Sequence, residues 1–365
     1  MRRATQQTLG RSSVSVSVHQ PAQQAESTLL ALRIIRSPSQ WHPHIRQASG
    51  ASTANLLYGS DSDSDVKGNV PNTGLADTGD HRVAGIHDFV TRLSALLDEL
   101  HLVELFPWMK CIPARFAKWK HVAVESFKRD SAMFERLMEP VHAGVARGDE
   151  PASLMGRICD NHDKFNLSPR ESAWLSATMF AAGSETSAGV LTWWTQAMLL
   201  YPEAQASAQQ ELDAVVGRDR VPSFDDYERL PYIRAMVKEA LRWRPVNPLG
   251  FPHVSTHDEF YEGHFIPANS LMIPNLWLLN QDPLVWGPDA MDFKPERHLD
   301  DRGELKESGP LDMGQESHFT YGFGRRVCVG KHVANVSRNP FPMMRLILNV
   351  PSCVTCRFRI CYLPR

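Results

Sequence analysis

The sequence of 365 residues is marked first by what it lacks. It has no run of about 18 apolar residues, so no segment is expected to cross a membrane. It has no excess of either charge, since 39 basic residues face 41 acidic ones, and this balance argues against nucleic-acid binding. Its six scattered cysteines are too few for a disulfide scaffold. A hydrophobic content of 42% is typical of a globular protein with a large core.

The start of the chain lacks acidic residues. Arg2, Arg3 and Arg11 stand among Ser and Gln, and no clear apolar face is present. Such a segment is compatible with a mitochondrial transit peptide or a wrongly predicted gene start. Because the segment is polar and low in aromatic residues, we predict that residues 1–27 are disordered.

Two possible metal sites lack essential ligands. The alternating acids of residues 60–65 resemble a calcium loop, but Val66 stands where glycine is needed and Asn72 where glutamate is needed. Cys353 and Cys356 have the spacing of a zinc ligand pair, but no second pair stands at a suitable distance. We therefore expect neither calcium nor zinc to bind. The acidic segment is predicted to be a solvated loop that extends through about residue 82.

Helical periodicity dominates from residue 85 to residue 245, and short apolar runs between Pro and Gly follow it. The clearest helix start is Ser168, followed by Pro169 and Glu171, which is the pattern of a capping box. Helices are predicted at 86–100, 113–146, 169–200, 202–217 and 231–244, and strands at 250–255, 260–266 and 270–273. The sequence predicts a mainly α protein with a small β-sheet region late in the chain.

One cysteine near the C-terminus lies on a glycine-rich, doubly basic loop. Residues 321–330 read Tyr-Gly-Phe-Gly-Arg-Arg-Val-Cys-Val-Gly and lead into a predicted helix. Gly324 and Gly330 allow close approach of a flat ligand, and Arg326 can bind a carboxylate. Free amides at the helix start and the two arginines favour the ionised form of Cys328. A thiolate of this kind is the axial iron ligand in one class of haem enzymes.

Three further motifs precede this loop. They are residues 182–187 (Ala-Gly-Ser-Glu-Thr-Ser), 239–242 (Glu-Ala-Leu-Arg) and 293–298 (Phe-Lys-Pro-Glu-Arg-His). Together with the cysteine loop, and in this order, they resemble the signatures of the cytochrome P-450 monooxygenases, with Tyr321 and His298 each replacing a Phe. The resemblance runs from about Leu29 to Asn335. It implies a cytochrome P-450 fold and haem b as cofactor, with Cys328 as the ligand of the iron.

The resemblance assigns catalytic roles to the middle of the long predicted helix. Gly183 would form an oxygen groove with Ala182, and Glu185 and Thr186 would deliver protons. Gly and Thr are poor choices inside a helix on propensity alone. The alternative is a surface glutamate followed by a threonine bonded to an earlier carbonyl.

Other residues are assigned to structure and to haem binding. The resemblance implies that Glu239, Arg242 and Arg297 form a buried network that fixes the long coil before Cys328. The alternative for Glu239 and Arg242 is an exposed i,i+3 pair. Arg326 and His253 would bind the haem propionates, although a loop histidine is often simply exposed.

The resemblance fails at both ends of the chain. The membrane anchor and the helix whose Trp and Arg hold the propionates are not found, and Pro340 and Pro342 interrupt the helix expected after the cysteine loop. We therefore divide the chain into a disordered segment (1–27), a partial monooxygenase core (28–338) and a tail foreign to the fold (339–365).

The sequence predicts a haem-dependent monooxygenase that inserts one atom of O2 into a lipophilic small molecule, with electrons from an NADPH-dependent flavoprotein reductase. Loop sequences resemble fungal secondary-metabolism members of the O-methylsterigmatocystin oxidoreductase type. The family is expected at the endoplasmic reticulum membrane. The alternative is an inactive truncated paralogue, or a misspliced product with weak haem binding.

Overall fold

A computed structural model describes residues 1–9, 20–59, 81–98, 102–149, 153–307, 309 and 318–337. This part of the chain is mainly helical with two small antiparallel sheets, which confirms the predicted fold class. It forms two compact units: residues 1–23 with 46–185 (the first unit), and 24–45 with the described residues from 186 onwards (the second unit). None of the helices that the structure describes combines the length and the apolarity that crossing a bilayer requires.

The first unit is built from helices around an aromatic core. The helices up to residue 200 are α1 (Arg2–Leu9), α2 (Gln20–Arg36), α3 (Trp41–Tyr58), α4 (His81–Asp98), α5 (Leu102–Leu105), α6 (Lys118–Arg147), α7 (Leu154–Asp160), α8 (His162–Phe165) and α9 (Pro169–Leu200), of which α2, α3 and α9 continue into the second unit. Phe89 and Trp174 both pack edge-on against the fully buried Phe134, with ring centroids 5.0 Å away in each case. Such pairs stabilise a core beyond their buried area.

The N-terminal segment differs from its predicted disorder where the structure describes it. Residues 2–9 form α1, and Ala4 and Leu9 are buried. Residues 20–27 belong to the start of α2. The composition argument failed here because a few well-placed apolar side chains can anchor an otherwise polar helix by tertiary packing.

Helix α9 starts and ends where the sequence predicts. Ser168 N–H and Oγ–H both donate to Glu171 Oε2, at 2.9 and 2.8 Å, and Glu171 N–H donates back to Ser168 Oγ at 3.3 Å. The capping box is therefore confirmed. The helix runs through Leu200, and Pro202 starts the next one.

The second unit contains all the described strands. Its elements after α9 are α10 (Pro202–Val215), α11 (Pro231–Trp243), β1 (His253–Val254), β2 (Glu259–Tyr261), β3 (His264–Ile266), β4 (Leu271–Met272), α12 (Leu276–Gln281), α13 (Pro283–Trp286) and α14 (Lys331–Ser337). The rings of Tyr201, Trp243 and Phe293 pack together with centroids 5.7 to 5.8 Å apart. This cluster joins the end of α9, α11 and the coil after α13.

The single strand predicted over 260–266 is wrong, because the segment contains two strands and a turn. The segment is a hairpin in which β2 pairs with β3, and Tyr261 stands opposite His264. The two turn residues, Glu262 and Gly263, have positive φ values of 49° and 81°. A two-residue turn of this kind matches the twist of paired strands. The apolar run predicted as one strand therefore forms two short strands that pair with each other. Strand β1 pairs with β4 in a second ladder.

Two predicted segments fall on residues other than those that the structure describes. The solvated loop predicted before residue 82 falls largely on residues 60–80, which lie outside the described residues. The predicted tail at 339–365, with its three cysteines, also lies outside them.

Candidate active site

The cysteine loop is closed by backbone hydrogen bonds and presents its thiol outward. Cys328 N–H donates to the Tyr321 carbonyl at 2.8 Å, and Val327 N–H donates to the Gly324 carbonyl at 3.2 Å. Gly322 and Gly324 adopt φ values of 68° and 62°, which side-chain-bearing residues rarely adopt. The thiol of Cys328 is exposed, and α14 begins three residues later at Lys331.

A buried asparagine attaches the start of this loop to the helical core. The Asn280 side chain accepts a hydrogen bond from Phe319 N–H at 2.8 Å and donates to Thr320 Oγ1 at 3.1 Å. Thr320 Oγ1 in turn donates to the Leu241 carbonyl at 2.6 Å. Asn280 is itself bonded to α11, because its backbone carbonyl accepts from Arg242 Nη1 at 2.6 Å. Two hydrogen bonds, to Leu241 and to Arg242, thus connect this region to α11.

The predicted glutamate–arginine network is present and buried. Glu239 and Arg242 are both completely buried, and Arg242 donates to the two carboxylate oxygens of Glu239 at 2.7 and 2.8 Å. Arg297 Nε donates to the same carboxylate at 3.0 Å. The exposed i,i+3 pair is therefore excluded. Bidentate, desolvated contacts of this kind fix geometry more than they add net stability.

The two arginines also hold the backbone of the coil that leads toward the cysteine loop. Arg242 donates to the carbonyls of Ala290 and Asp292, at 2.7 and 2.9 Å. Arg297 donates to the carbonyls of Trp286 and Asp289, both at 2.8 Å. A segment with little regular structure is thus pinned at four carbonyl groups.

His298 is a fourth member of the network that the motif comparison did not predict. It is buried, and its Nε2 lies 2.8 Å from Glu239 Oε2. Burial alone would raise the pKa of Glu239, but hydrogen bonds from Arg242 and His298 lower it to about 2. Burial lowers the pKa of His298, and the nearby carboxylate offsets that effect only in part. The neutral imidazole therefore donates to an ionised carboxylate.

Among the described cysteines, Cys328 fits an iron-binding role best. Burial raises the pKa of Cys159 to about 11, which disfavours a thiolate there. Cys111 is exposed but lies at the end of a short 3-10 segment whose residues, 107–111, belong to none of the predicted motifs. Arg326 is exposed. An exposed thiol on a glycine loop, with a guanidinium two residues before it, fits the iron and propionates of a haem.

The other predicted haem ligands are less distinctive. A Cβ added at Gly330 would meet Cys328 Sγ at 3.9 Å, whereas a Cβ added at Gly324 would meet none of the described atoms within 4 Å. His253 is exposed on β1, opposite Met272. Within the part of the chain that the structure describes, its position is that of an ordinary surface histidine, and its propionate role stays a prediction.

Gly183 and Glu185 lie on the part of α9 that belongs to the first unit, where α3 packs against them. A Cβ added at Gly183 would meet the Thr53 side chain at 3.1 Å, so close helix packing already explains this glycine. The Glu185 carboxylate accepts from Arg46 Nη2, at 3.0 Å from each oxygen. Thr186 is half-buried and begins the part of α9 that belongs to the second unit.

The structure thus brings together Glu239, Arg242 and Arg297, and it places Cys328, Arg326, Gly324, Gly330 and His253 in the same unit. Motif comparison missed four supporting residues. His298 bonds to Glu239, and Arg46 bonds to Glu185 and His87. Asn280 accepts from Arg242 through its backbone carbonyl. The sequence did contain one indication of the role of His298: a polar residue stands where the family motif has Phe.

Comparison with known proteins identifies the family. The sequence profile of the cytochrome P-450 family matches residues 75–348. A cytochrome P-450 monooxygenase of Armillaria gallica is 51% identical over 320 residues, which are 87% of this chain and 59% of the relative. A second monooxygenase of that fungus is 42% identical over 92% of this chain and 62% of its own length. Cytochrome P-450 monooxygenase 58 of Postia placenta is 41% identical over 87% of this chain and 58% of its own.

The chain belongs to the cytochrome P-450 family, a haem-thiolate family whose standard cofactor is haem b. It spans about three fifths of the length of the curated relatives it matches. These relatives are fungal and are named monooxygenases.

Proposed function

We propose that the protein is a haem-dependent monooxygenase acting on a lipophilic small molecule. In the balanced reaction, the substrate RH, O2, NADPH and one proton give ROH, water and NADP+. One oxygen atom enters the substrate, the other leaves as water, and NADPH supplies both electrons. When bound, the haem supplies the iron at which O2 is activated.

The observation that carries this proposal is the connection between Cys328 and the buried network. Asn280 bonds both to the residues that open the cysteine loop and, through its carbonyl, to Arg242. Glu239 fixes Arg242 from the other side. The start of the cysteine loop is therefore anchored to groups that are fully buried, and Cys328 N–H bonds to the Tyr321 carbonyl at that start, which favours precise ligand placement.

The roles of the other residues follow from their chemistry. Arg326, whose guanidinium is exposed, would bind a haem propionate through charge-assisted hydrogen bonds. Glu185 and Thr186 would hold and transfer the protons that the reaction consumes. Arg326 and Glu185 are charged, but neither of them belongs to the apolar segment that we propose contacts the substrate.

A lipophilic substrate is supported by apolar side chains after α11. Leu249 and Phe251 are 57% and 72% exposed, although they flank Gly250, whose backbone is tightly packed. A Cβ at Gly250 would meet Pro274 at 2.7 Å. We propose that this segment contacts the substrate, and that the chain acts in fungal secondary metabolism, near the O-methylsterigmatocystin oxidoreductase type.

Activity requires an electron donor, for which we propose an NADPH-dependent flavoprotein reductase. The test is turnover of the purified full chain, loaded with haem, with a fungal reductase, NADPH, isotopically labelled O2 and ethoxycoumarin as lipophilic probe. One labelled oxygen atom in the product supports the proposal. Haem binding without labelled product from a panel of lipophilic probes would favour the inactive-paralogue alternative.

We also propose that the protein works at the endoplasmic reticulum membrane surface. Its basic–aromatic surface carries exposed aromatic and cationic side chains close together in sequence: Phe106, Trp108, Lys110, Arg115, Phe116, Lys118 and Trp119. Trp108 and Phe116 are 66% and 71% exposed. Residues 106–119 contain no acidic residue. Aromatic rings with neighbouring cations are typical of surfaces that lie in an anionic lipid interface.

Cosedimentation with phosphatidylcholine vesicles, with and without phosphatidylserine, tests this surface. Exchange of both Trp108 and Phe116 for Ser should reduce binding to the anionic vesicles. Phe260→Ser, which removes an exposed aromatic side chain from β2, is the matched control and should leave binding unchanged. Equal loss in the control, or no binding by the original chain, would contradict the proposal.

A further inference from the structure

Helix α3 contacts the Gly183–Glu185 segment of α9 through three residues on one of its faces. Arg46, Ser49 and Thr53 have the i, i+3 and i+7 spacing of a helix face. Arg46 meets the Glu185 carboxylate, and Ser49 Oγ donates to the Ser184 carbonyl at 2.6 Å. The Thr53 side chain lies 3.1 Å from the position that a Cβ of Gly183 would occupy. Three consecutive residues of α9 are thus held by one face of one helix.

A histidine of α4 completes the contact with Glu185. His87 Nδ1 lies 2.9 Å from Arg46 Nη2 and 3.2 Å from Glu185 Oε1. A ring nitrogen cannot be acceptor for the arginine and donor to the carboxylate at once. In the neutral tautomer that accepts from Arg46, the arginine therefore bridges the imidazole and the carboxylate.

The three side chains are only partly buried, with Arg46, Glu185 and His87 exposed by 35%, 31% and 42%. Partial exposure keeps the carboxylate within reach of water, while the guanidinium fixes its orientation. A simple surface ion pair adds little stability, so this arrangement is better explained by orientation than by folding energy.

We propose that Arg46 is a positioning residue for Glu185, with His87 holding the guanidinium in place. The proposal rests on the proposed function, in which Glu185 transfers protons. Without Arg46 the carboxylate loses its fixed orientation, and protons arrive less reliably at the reacting oxygen. The same two electrons then reduce O2, with two protons, to hydrogen peroxide rather than to water and hydroxylated product.

The test measures peroxide released per NADPH oxidised by the haem-loaded full chain, with a fungal reductase and ethoxycoumarin. Arg46→Gln should raise this ratio about fivefold, well below the ~10² to 10⁴ that positioned proton transfer contributes as a whole, because the carboxylate itself is retained. The binding spectrum of ethoxycoumarin should stay unchanged. Arg46→Lys, which keeps the charge but not the fork, should restore part of the coupling.

A matched control distinguishes positioning from general loosening of the unit. Arg92 of α4 also pairs with a carboxylate across a helix interface, Asp130 at 2.7 Å. Arg92→Gln should leave the peroxide ratio at its original value. An equal rise in Arg92→Gln, or no rise in Arg46→Gln, would overturn the positioning role.

Two further measurements separate this inference from the proposed function. If Glu185→Gln leaves the peroxide ratio unchanged, proton transfer by Glu185 is wrong; if it raises the ratio while Arg46→Gln does not, only the positioning role is wrong. Independently of turnover, amide hydrogen exchange of α9 peptides covering residues 180–190 should be faster in Arg46→Gln than in Arg92→Gln. Equal exchange in the two variants would contradict the contact itself.

Discussion

At the scale of single residues, the sequence was informative where a motif states a chemical requirement. Glu239, Arg242 and Arg297 could be predicted because the family motifs name them, and the structure places both arginines on the Glu239 carboxylate. Asn280 and Arg46 could not be predicted, since nothing in their sequence context distinguishes a supporting side chain from a surface one. For His298 the sequence was only partly informative. It showed that histidine replaces the Phe of the motif, but it did not predict the hydrogen bond between His298 and Glu239.

His298 makes the network sensitive to acid. Its pKa is lowered in the folded protein, so the unfolded chain binds more protons below about pH 6.5, and the free energy of unfolding falls as the pH falls. A single group of this kind contributes a slope of up to about 1.4 kcal/mol per pH unit. His298→Phe should therefore flatten the decrease between about pH 7.5 and pH 5.5.

Urea unfolding at both pH values measures this difference. His264→Phe, which changes an exposed histidine of β3, is the control and should keep the slope of the original chain. An unchanged slope in His298→Phe would show that His298 does not titrate with folding. Glu239, whose pKa is about 2, contributes stability that is fully present above about pH 4.5 and lost only below it, outside this window.

At the scale of elements, helices with clear caps were predicted to within a few residues. Helix α9 follows from Ser168, Pro169 and Glu171 at its start and from Pro202 after its end. The hairpin at 259–266 was read as one strand, because Gly263 within an apolar run does not by itself separate a turn from a bulge. Helix α1 was missed because its stability comes from tertiary packing.

The network joins α11, α12 and the coil after α13, so its loss should destabilise all three segments. Arg242→Ala leaves the buried Glu239 carboxylate without its main partner, and we expect a loss of roughly 3–5 kcal/mol in the free energy of unfolding. Haem incorporation should be lost with it. Chemical unfolding and the haem-to-protein absorbance ratio measure the two effects.

Arg234→Ala is the matched control on the same helix. Arg234 pairs with the exposed Glu228 at 2.7 Å, and removing such a pair should cost less than about 1 kcal/mol. Normal haem content in Arg242→Ala, or equal losses in both variants, would argue against a network that positions the cysteine loop.

At the scale of the whole molecule, family membership follows from the order of the motifs and is shown by the match over residues 75–348. That match includes residues 339–348, which the sequence interpretation assigned to a foreign tail because Pro340 and Pro342 break a helix. The tail assignment stays a prediction, since the segment lies outside the described residues. Deletion of residues 339–365 should leave the thermal unfolding midpoint unchanged, and a lower midpoint would contradict it.

The central claim is that this chain binds haem through the thiolate of Cys328. The most direct measurement is the absorption spectrum of the purified, haem-loaded and reduced chain with carbon monoxide, beside Cys328→Ser and Cys111→Ser. We predict the strongly red-shifted Soret band of a thiolate complex for the original chain and for Cys111→Ser, and its loss in Cys328→Ser. Absence of the band from the original chain, or its persistence in Cys328→Ser, would contradict the account.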